Sequence, residues 1–355
     1  MNTRTNDKVL VPQDQLTALG IAAFQNLGLA PNAAADVVKI LVLADLFGLS
    51  THGLSRIESY GSRIQVGGIN ANANITVDKP AAGLRLVDGD NGIGPLVGMH
   101  ALRAAMEAAQ DCGIGMAFAR QSNHFGPISP YGLIAAEAGF ASIIGSNATT
   151  TIAPWGGTDA RVGNSPIAFA VPNPAGRHFL LDMAMSVVAR AKIRNALKAG
   201  SEIPDTWATD ASGRPTTNPK EALDGFLLPI GGHKGYGLAL MVDLFAGLLS
   251  NAAYLTHVKS WVDAPDEPQN LGHFFILIDT RKLGSVQWLT ERMTDFAAIL
   301  HDSPPADPAR PVIQPGEIEL NNLARQKSEG IAIDADVLRL LQQYANQAAG
   351  VQPSA

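Results

Sequence analysis

The chain has 355 residues, 46% of them apolar, with a formal charge of -6 and a pI near 5.7. That length supports two domains with sizeable cores, and an acidic balance without any run of Lys or Arg argues against a nucleic-acid partner. One cysteine, Cys112, excludes an intrachain disulfide and the Cys-rich spacings of structural zinc, so a reducing cytoplasm is the expected compartment.

Residues 1–15 lack the apolar core of a signal peptide. Leu16, Leu19, Ala23 and Leu27 recur at helical spacing, and Val37, Ile40, Leu41, Ala44 and Phe47 do so after the Pro31-Asn32 break. Two helices therefore lead into Ser50-Thr51-His52-Gly53-Leu54-Ser55-Arg56. Beyond Gly67-Gly68 strands are predicted at 75–77 and 84–87 with a turn at 88–92, and a second domain is expected from about residue 76. A helix at 96–112 closed by Gly113, a strand at 114–120 and a helix at 130–138 closed by Gly139 follow. Strands are expected at 140–145, 167–172 and 178–183, then a helix at 187–199 ending at Gly200. Segment 203–220, with Pro204, Gly213, Pro215 and Pro219, reads as loop. Residues 236–254 form a nearly unbroken apolar stretch about as long as a membrane span. Asp243 near its middle favours instead a helix buried in a globular core, with its carboxylate paired, and no membrane partner. A strand at 273–278, a helix at 286–301 and a proline-rich strap through 303–315 complete the pattern.

Two histidines, His52 and His124, stand beside glycine and small polar residues, the second in Ser122-Asn123-His124-Phe125-Gly126-Pro127 just after a strand, where α/β layers commonly build sites. Either alone reads as an ordinary satisfied histidine. With Arg56 four residues beyond His52, the set suits an acid substrate: imidazole exchanges a proton near neutrality, and guanidinium offers a planar fork to a carboxylate. A Rossmann fingerprint fails, since Gly92-Ile93-Gly94-Pro95-Leu96-Val97-Gly98 carries its last glycine one place late, follows a turn and has proline where the helix opens. P-loop, His-Glu-x-x-His and Gly-x-Ser-x-Gly patterns are missing, and no metal set stands out. The run from Gly231 and Gly232 through His233, Lys234 and Gly235 to Gly237 reads either as a flexible turn or as an anion site at a helix start. Asp182, at a strand end, either caps the following helix or holds a hydroxyl.

Seven ordered blocks together resemble one family, the malate/L-lactate dehydrogenases, which also contains ureidoglycolate and sulfolactate dehydrogenases, diketogulonate reductase and cyclic imine reductases. The blocks are 44–56, 88–94, 123–126, 153–157, 163–168, 182–186 and 232–238, and the similarity spans about residues 10–325. The resemblance implies an α+β fold, with a non-Rossmann nucleotide-binding domain of largely antiparallel sheet and flanking helices over 76–284. A mainly helical domain would comprise 1–75 with 285–355 and part of 190–225. It also implies a homodimer using NAD or NADP, with a small carboxylate substrate. His52 and His124 become the acid/base candidates, with Arg56 as carboxylate holder and Thr51 as a relay hydroxyl where relatives carry serine. His124 is favoured as proton donor and His52 as substrate anchor. His124, Phe125, Gly126, Asp182, Met183, Ala184, His233, Lys234 and Gly235 would line the cofactor. The expected reaction is hydride transfer at C2 of a small 2-oxo or 2-hydroxy acid, with reduction of a cyclic imino acid as the alternative. The loop Pro127-Ile128-Ser129-Pro130 and Gly163-Asn164-Ser165-Pro166 depart from the usual family pattern and bear on substrate identity.

Overall fold

Strand β1 (Lys8–Val11) comes first among the described residues, and α1 (Gln13–Asn26) and α2 (Pro31–Leu46) form where the apolar periodicity places them. The computed structural model describes residues 8–346; the outer ends of the expected helical domain and the first seven residues of the segment read for a signal peptide lie outside them. Val37, Val38, Ile40, Leu41, Val42, Ala44 and Leu46 are all buried, because α2 packs against α1 and against later helices on its other sides. Two 3₁₀ turns (Ser50–His52 and Leu54–Arg56) then carry the chain into α3 (Ile57–Gln65).

The remaining elements run β2 (Thr76–Ala81), β3 (Leu84–Asp88), α4 (Gly94–Cys112), β4 (Ile114–Ser122), α5 (Ser129–Glu137), β5 (Phe140–Ser146), β6 (Thr150–Ile152), β7 (Val162–Gly163), β8 (Ile167–Val171) and β9 (Phe179–Met183). Then come α6 (Arg190–Ala199), β10 (Ala208–Thr209), α7 (Pro219–Asp224), β11 (Phe226–Leu227), α8 (His233–Asp243), a π turn (Leu244–Leu248), β12 (Leu271–Asp279), α9 (Val286–His301), α10 (Glu317–Glu329), β13 (Ile331–Asp334) and α11 (Ala335–Asn346). The main sheet has the order β2-β3-β4-β12-β5-β8-β9, with every pair antiparallel except β3 with β4. Its strands are joined across the fold, so the strand-helix alternation in the sequence does not produce a parallel sheet. Helices α4 and α5 cover it, burying Val97, Leu102, Ala105, Tyr131 and Ala135 against Ala117, Ala119, Ile144 and Phe275. The N-terminal helices share a separate core with Ile331, Ile333, Leu341 and Tyr344 from the other end of the chain.

Several expectations shift. The helix read at 187–199 starts at Arg190, so no helix opens directly after Asp182 and residues 184–189 are loop. Segment 236–254 is not a buried rod: α8 begins at His233, passes into the π turn after Asp243, and leaves Leu238, Leu244, Leu248 and Leu249 at least 40% exposed. Its apolar residues divide between the core and the surface. No helix among the described residues is long and apolar enough to cross a membrane. Asp243 is buried, but its partner is a backbone amide: Leu255 N–H donates to Oδ2 at 2.9 Å. The pairing of β1 with β13 has no local signature, because four-residue strands with a partner more than 300 residues away carry little pattern of their own.

Candidate active site

The site begins at the end of α2. Asp45 points back under the 3₁₀ turns and accepts Leu54 N–H at 2.8 Å. A Cβ on Gly53 would lie 2.0 Å from Asp45 Oδ1, so only glycine lets the turn close over the carboxylate. Burial pushes the Asp45 carboxyl up to about 7, against the pull of the Leu54 amide. This clamp fixes the segment that presents His52 and Arg56. Thr51 Oγ1 lies 2.9 Å from His52 Nδ1, leaving Nε2 of His52 without a partner among the described residues.

The second half hangs from β4. Asn123, fully buried, donates Nδ2–H to Asn91 O and Gly92 O, binding the His124 loop to the 88–92 turn. Gly94 packs so closely that a Cβ there would sit 2.3 Å from the carbonyl oxygens of Asn123 and His124. The glycine-rich turn that fails as a dinucleotide fingerprint thus serves as a seat for this loop. His124 is brought to His52, ring centroids 5.7 Å apart, and its Nδ1 lies 2.8 Å from the Tyr60 hydroxyl of α3. Burial, followed by the positive charge of Arg56, holds the His124 imidazole well below the usual range, and the same two causes bring His52 down to about 4. Both rings are therefore neutral at pH 7 in the free protein.

Three residues not singled out in the sequence complete the site. Tyr60 engages His124. Trp261, from the loop before β12, stacks on the His124 ring at 4.9 Å and lies 5.2 Å below the Arg56 guanidinium carbon. Arg63, buried and without a carboxylate within 4.0 Å among the described residues, spends its guanidinium on five oxygens: Pro265 O, Asn123 Oδ1, Gln269 Oε1, Gly68 O and Glu267 O. It joins α3, the His124 loop and the Trp261 loop in one network. Gln269 Oε1 also accepts from His124 N–H at 3.4 Å. Only Arg63 carried a legible signal, a cation on the apolar side of a short helix.

Behind the loop, Phe125 stacks on His273 of β12 at 4.0 Å. The His273 ring is fully buried between Ser146 Oγ (2.9 Å from Nδ1) and Ser122 Oγ (2.7 Å from Nε2), and burial brings it down to about 3. Asp182 receives Ile128 N–H and Ser129 N–H at 2.9 and 2.7 Å, capping α5 from the neighbouring strand. The cap expected for a following helix is thus made to a different one, at the far end of the His124 loop. Met185, just beyond Met183 and Ala184, accepts Ile230 N–H at 2.9 Å, and Val187 N–H donates to Leu228 O. The 182–188 segment therefore abuts the strand leading to Gly231 and Gly232. There α8 opens at His233, whose ring meets Trp155 edge-on at 5.9 Å. Lys234 is exposed, with no carboxylate within 4.0 Å among the described residues, and Gly235 is buried. A cavity of about 480 Å³, lined by Trp155, Gly156, Gly157, Thr209, Gly213 and Pro229, adjoins this loop.

Arg56 lacks an acidic partner among the described residues, and its buried Nε makes no hydrogen bond. A guanidinium so left, next to two imidazoles whose Nε2 atoms have no partner among the described residues, can take a carboxylate whose neighbouring carbon bears an oxygen that exchanges a proton. Residues 11–342 match the family model described as malate/L-lactate dehydrogenase. The chain is 37% identical to a malate dehydrogenase of Pyrococcus horikoshii over 296 residues, 81% of each chain, and the solved structure of the enzyme from that organism superposes with a TM-score of 0.85, covering 99% of this chain and 98% of that one. The NAD(+) ureidoglycolate dehydrogenase of Escherichia coli is 32% identical over 88% of this chain and 89% of its own. A Δ1-piperideine-2-carboxylate reductase from Pseudomonas syringae superposes with a TM-score of 0.85 at 28% identity, covering 95% and 99%. The chain belongs to the malate/L-lactate dehydrogenase family, whose dehydrogenase members make it an oxidoreductase of mixed α/β fold with mostly antiparallel sheets.

Proposed function

We propose that this protein transfers hydride between a nicotinamide cofactor, NAD or NADP, and C2 of a small 2-oxo or 2-hydroxy acid. The unpartnered Arg56 guanidinium beside the paired histidines carries this reading. Arg56 takes the substrate carboxylate bidentately and so fixes which face of C2 is presented. His124, with Nδ1 engaged by Tyr60, exchanges the proton of the C2 oxygen through Nε2. His52, braced by Thr51, holds the substrate from the other side. In the oxidation direction the neutral imidazole takes the hydroxyl proton. In reduction, the carboxylate on Arg56 cancels a charge that depresses both histidines, so substrate binding itself favours the protonated donor.

The residues suit a dinucleotide. Lys234 and the first-turn amides of α8 offer an anion site, Gly231 and Gly232 have positive φ, and Gly126 at φ 80° keeps the His124 loop open to close approach. The cofactor-binding unit would span 76–284, without a Rossmann fingerprint, against a helical unit of 1–75 with 285–355. When bound, the nicotinamide supplies or accepts the hydride; Phe125, Gly126, Asp182, Met183, Ala184, His233, Lys234 and Gly235 line its site.

The superposition on the piperideine-2-carboxylate reductase favours a second reading, in which Arg56 holds a cyclic imino acid and a histidine protonates the ring nitrogen. Purified protein given NADH or NADPH with a panel of 2-oxo acids and cyclic imines separates the two. Oxidation of neither cofactor by any of them removes the dehydrogenase reading; saturable binding without turnover marks a carboxylate-binding protein instead.

A homodimer in the cytoplasm remains part of the proposal. Met293 is the one buried residue of helix α9, which leaves Val286, Phe296 and Ile299 exposed, apolar surface that a second copy would cover. Sedimentation of a fully active single 37.2 kDa chain would overturn it.

A further inference from the structure

Trp261 contacts both the proposed carboxylate holder, Arg56, and the proposed proton donor, His124. Its ring lies 4.9 Å from the His124 imidazole, nearly parallel at 26°, and 5.2 Å from Cζ of Arg56. A 2-oxo acid bridging those groups, with its carboxylate on the guanidinium and its C2 oxygen on the imidazole, has its carbon chain within van der Waals reach of the indole. The ring is held there. Arg63 grips the main chain of the same loop at Pro265 O and Glu267 O, 3.1 and 2.8 Å away, and Ala264 N–H donates to Ser260 O across the turn that bears Trp261. The neighbouring Val262 is 75% exposed, whereas Trp261 is turned inward and packs against the core of the N-terminal helices.

We infer that Trp261 is the wall against which the substrate carbon chain packs, so that its indole determines which acids the site accepts. This rests on the hydride-transfer reading above and deepens it. A flat ring rewards a short or flat acyl group and disfavours a bulky one at C3, because a loop anchored at Pro265 O and Glu267 O yields little extra volume. The same ring excludes water from Arg56, which strengthens the carboxylate contact relative to an open site.

The test compares wild type, W261F and W261A with pyruvate, 2-oxobutyrate, 3-methyl-2-oxobutanoate and phenylpyruvate, measuring kcat/KM for each with either reduced cofactor, after far-UV circular dichroism and thermal melts verify folding. Widening the pocket raises the phenylpyruvate-to-pyruvate ratio, by less in W261F and by on the order of tenfold or more in W261A, the scale at which a hydrophobic pocket discriminates size. Pyruvate loses mainly in KM. If W261A does not fold, the shift in W261F alone decides. Variants whose rates fall equally for all four acids, leaving the ratio unchanged, overturn the assignment and reduce Trp261 to a prop for its loop. A wild-type protein that reduces none of the acids and no cyclic imine overturns the proposed activity and this assignment with it.

Discussion

The Tyr60 hydroxyl stands 2.8 Å from Nδ1 of His124, joining a fully buried side chain of α3 to the loop after β4. Burial raises the phenol above its ordinary range, so it keeps its proton at working pH. With Nδ1 occupied in this way, Nε2 is the nitrogen left to face a substrate. Tyr60→Phe removes the contact while preserving the ring in the core. The expected result is a melting temperature within a few degrees of wild type and a kcat several-fold to about tenfold lower, from the loss of one hydrogen bond worth about 0.5–1.5 kcal/mol. An unaltered kcat would separate the phenol from catalysis.

His124→Ala is expected to lower kcat by about 10²- to 10⁴-fold, the range for a positioned acid or base. His52→Ala should act more on KM, since its ring braces the substrate side. Steady-state kinetics of both variants decide the division; a His124→Ala enzyme with intact turnover beside an inactive His52→Ala enzyme exchanges the roles.

The pH dependence follows from the depressed histidines. Oxidation needs a neutral ring, and His52 is brought down to about 4 with His124 well below its usual value. The logarithm of kcat/KM for hydroxy-acid oxidation should therefore stay level as pH falls past about 6.5, the ordinary histidine value, and decline only toward the acid end. A break centred near 6.5 would mean that the essential histidine is not held neutral by Arg56 and burial.

His273 gives a prediction about stability. Its folded value of about 3 lies below the ordinary histidine value, so the unfolded chain binds the proton more tightly. The stability tied to the neutral ring is whole above about pH 6.5 and is lost as pH falls toward 3, by several kcal/mol at about 1.4 kcal/mol per pKa unit. Asp45 acts in the opposite sense: raised to about 7, its protonation favours the folded state as pH drops below that value. Comparing His273→Gln with wild type leaves Asp45 common to both. The variant is expected to melt lower at pH 7, having lost the stack on Phe125, but to lose less on going to pH 5. Parallel melting curves at both pH values would contradict the assignment.

Arg63→Lys should be far from neutral, since an ammonium cannot reach five oxygens spread over a planar fork. Thermal melting is expected to drop, because Asn123 Oδ1 is left without a donor in the interior, at about 1–3 kcal/mol, while Gln269 Oε1 keeps only the long bond from His124 N–H. Activity should fall further than stability alone explains, as both the His124 and Trp261 loops lose their anchor.

The sequence made the chemistry legible where a motif is local. His52 with Arg56, the His124 loop and the Lys234 loop each occupy a few consecutive residues, and the structure brings the first two together and links the third through 182–188 and 228–230. What stayed hidden was contributed across the fold. Tyr60 and Trp261 are ordinary aromatics by spacing, and only the closure of α3 and the loop before β12 over β4 aims them at His124. The sheet illustrates the same limit. Alternating strands and helices suggest parallel neighbours, but β12 is inserted between β4 and β5 from about 130 residues downstream of β5, a pairing that no local pattern encodes.

The guanidinium of Arg63 ties residues 60 and 206 positions away in sequence, through Asn123 and Gln269. The two halves of the site are not joined until the intervening chain has closed, and such closures come late because their loop entropy is lost before the contacts form. During refolding, helical circular dichroism should recover before substrate turnover. Under mild denaturant the reverse order is expected, with catalytic competence fading while the bulk of the sheet is still intact.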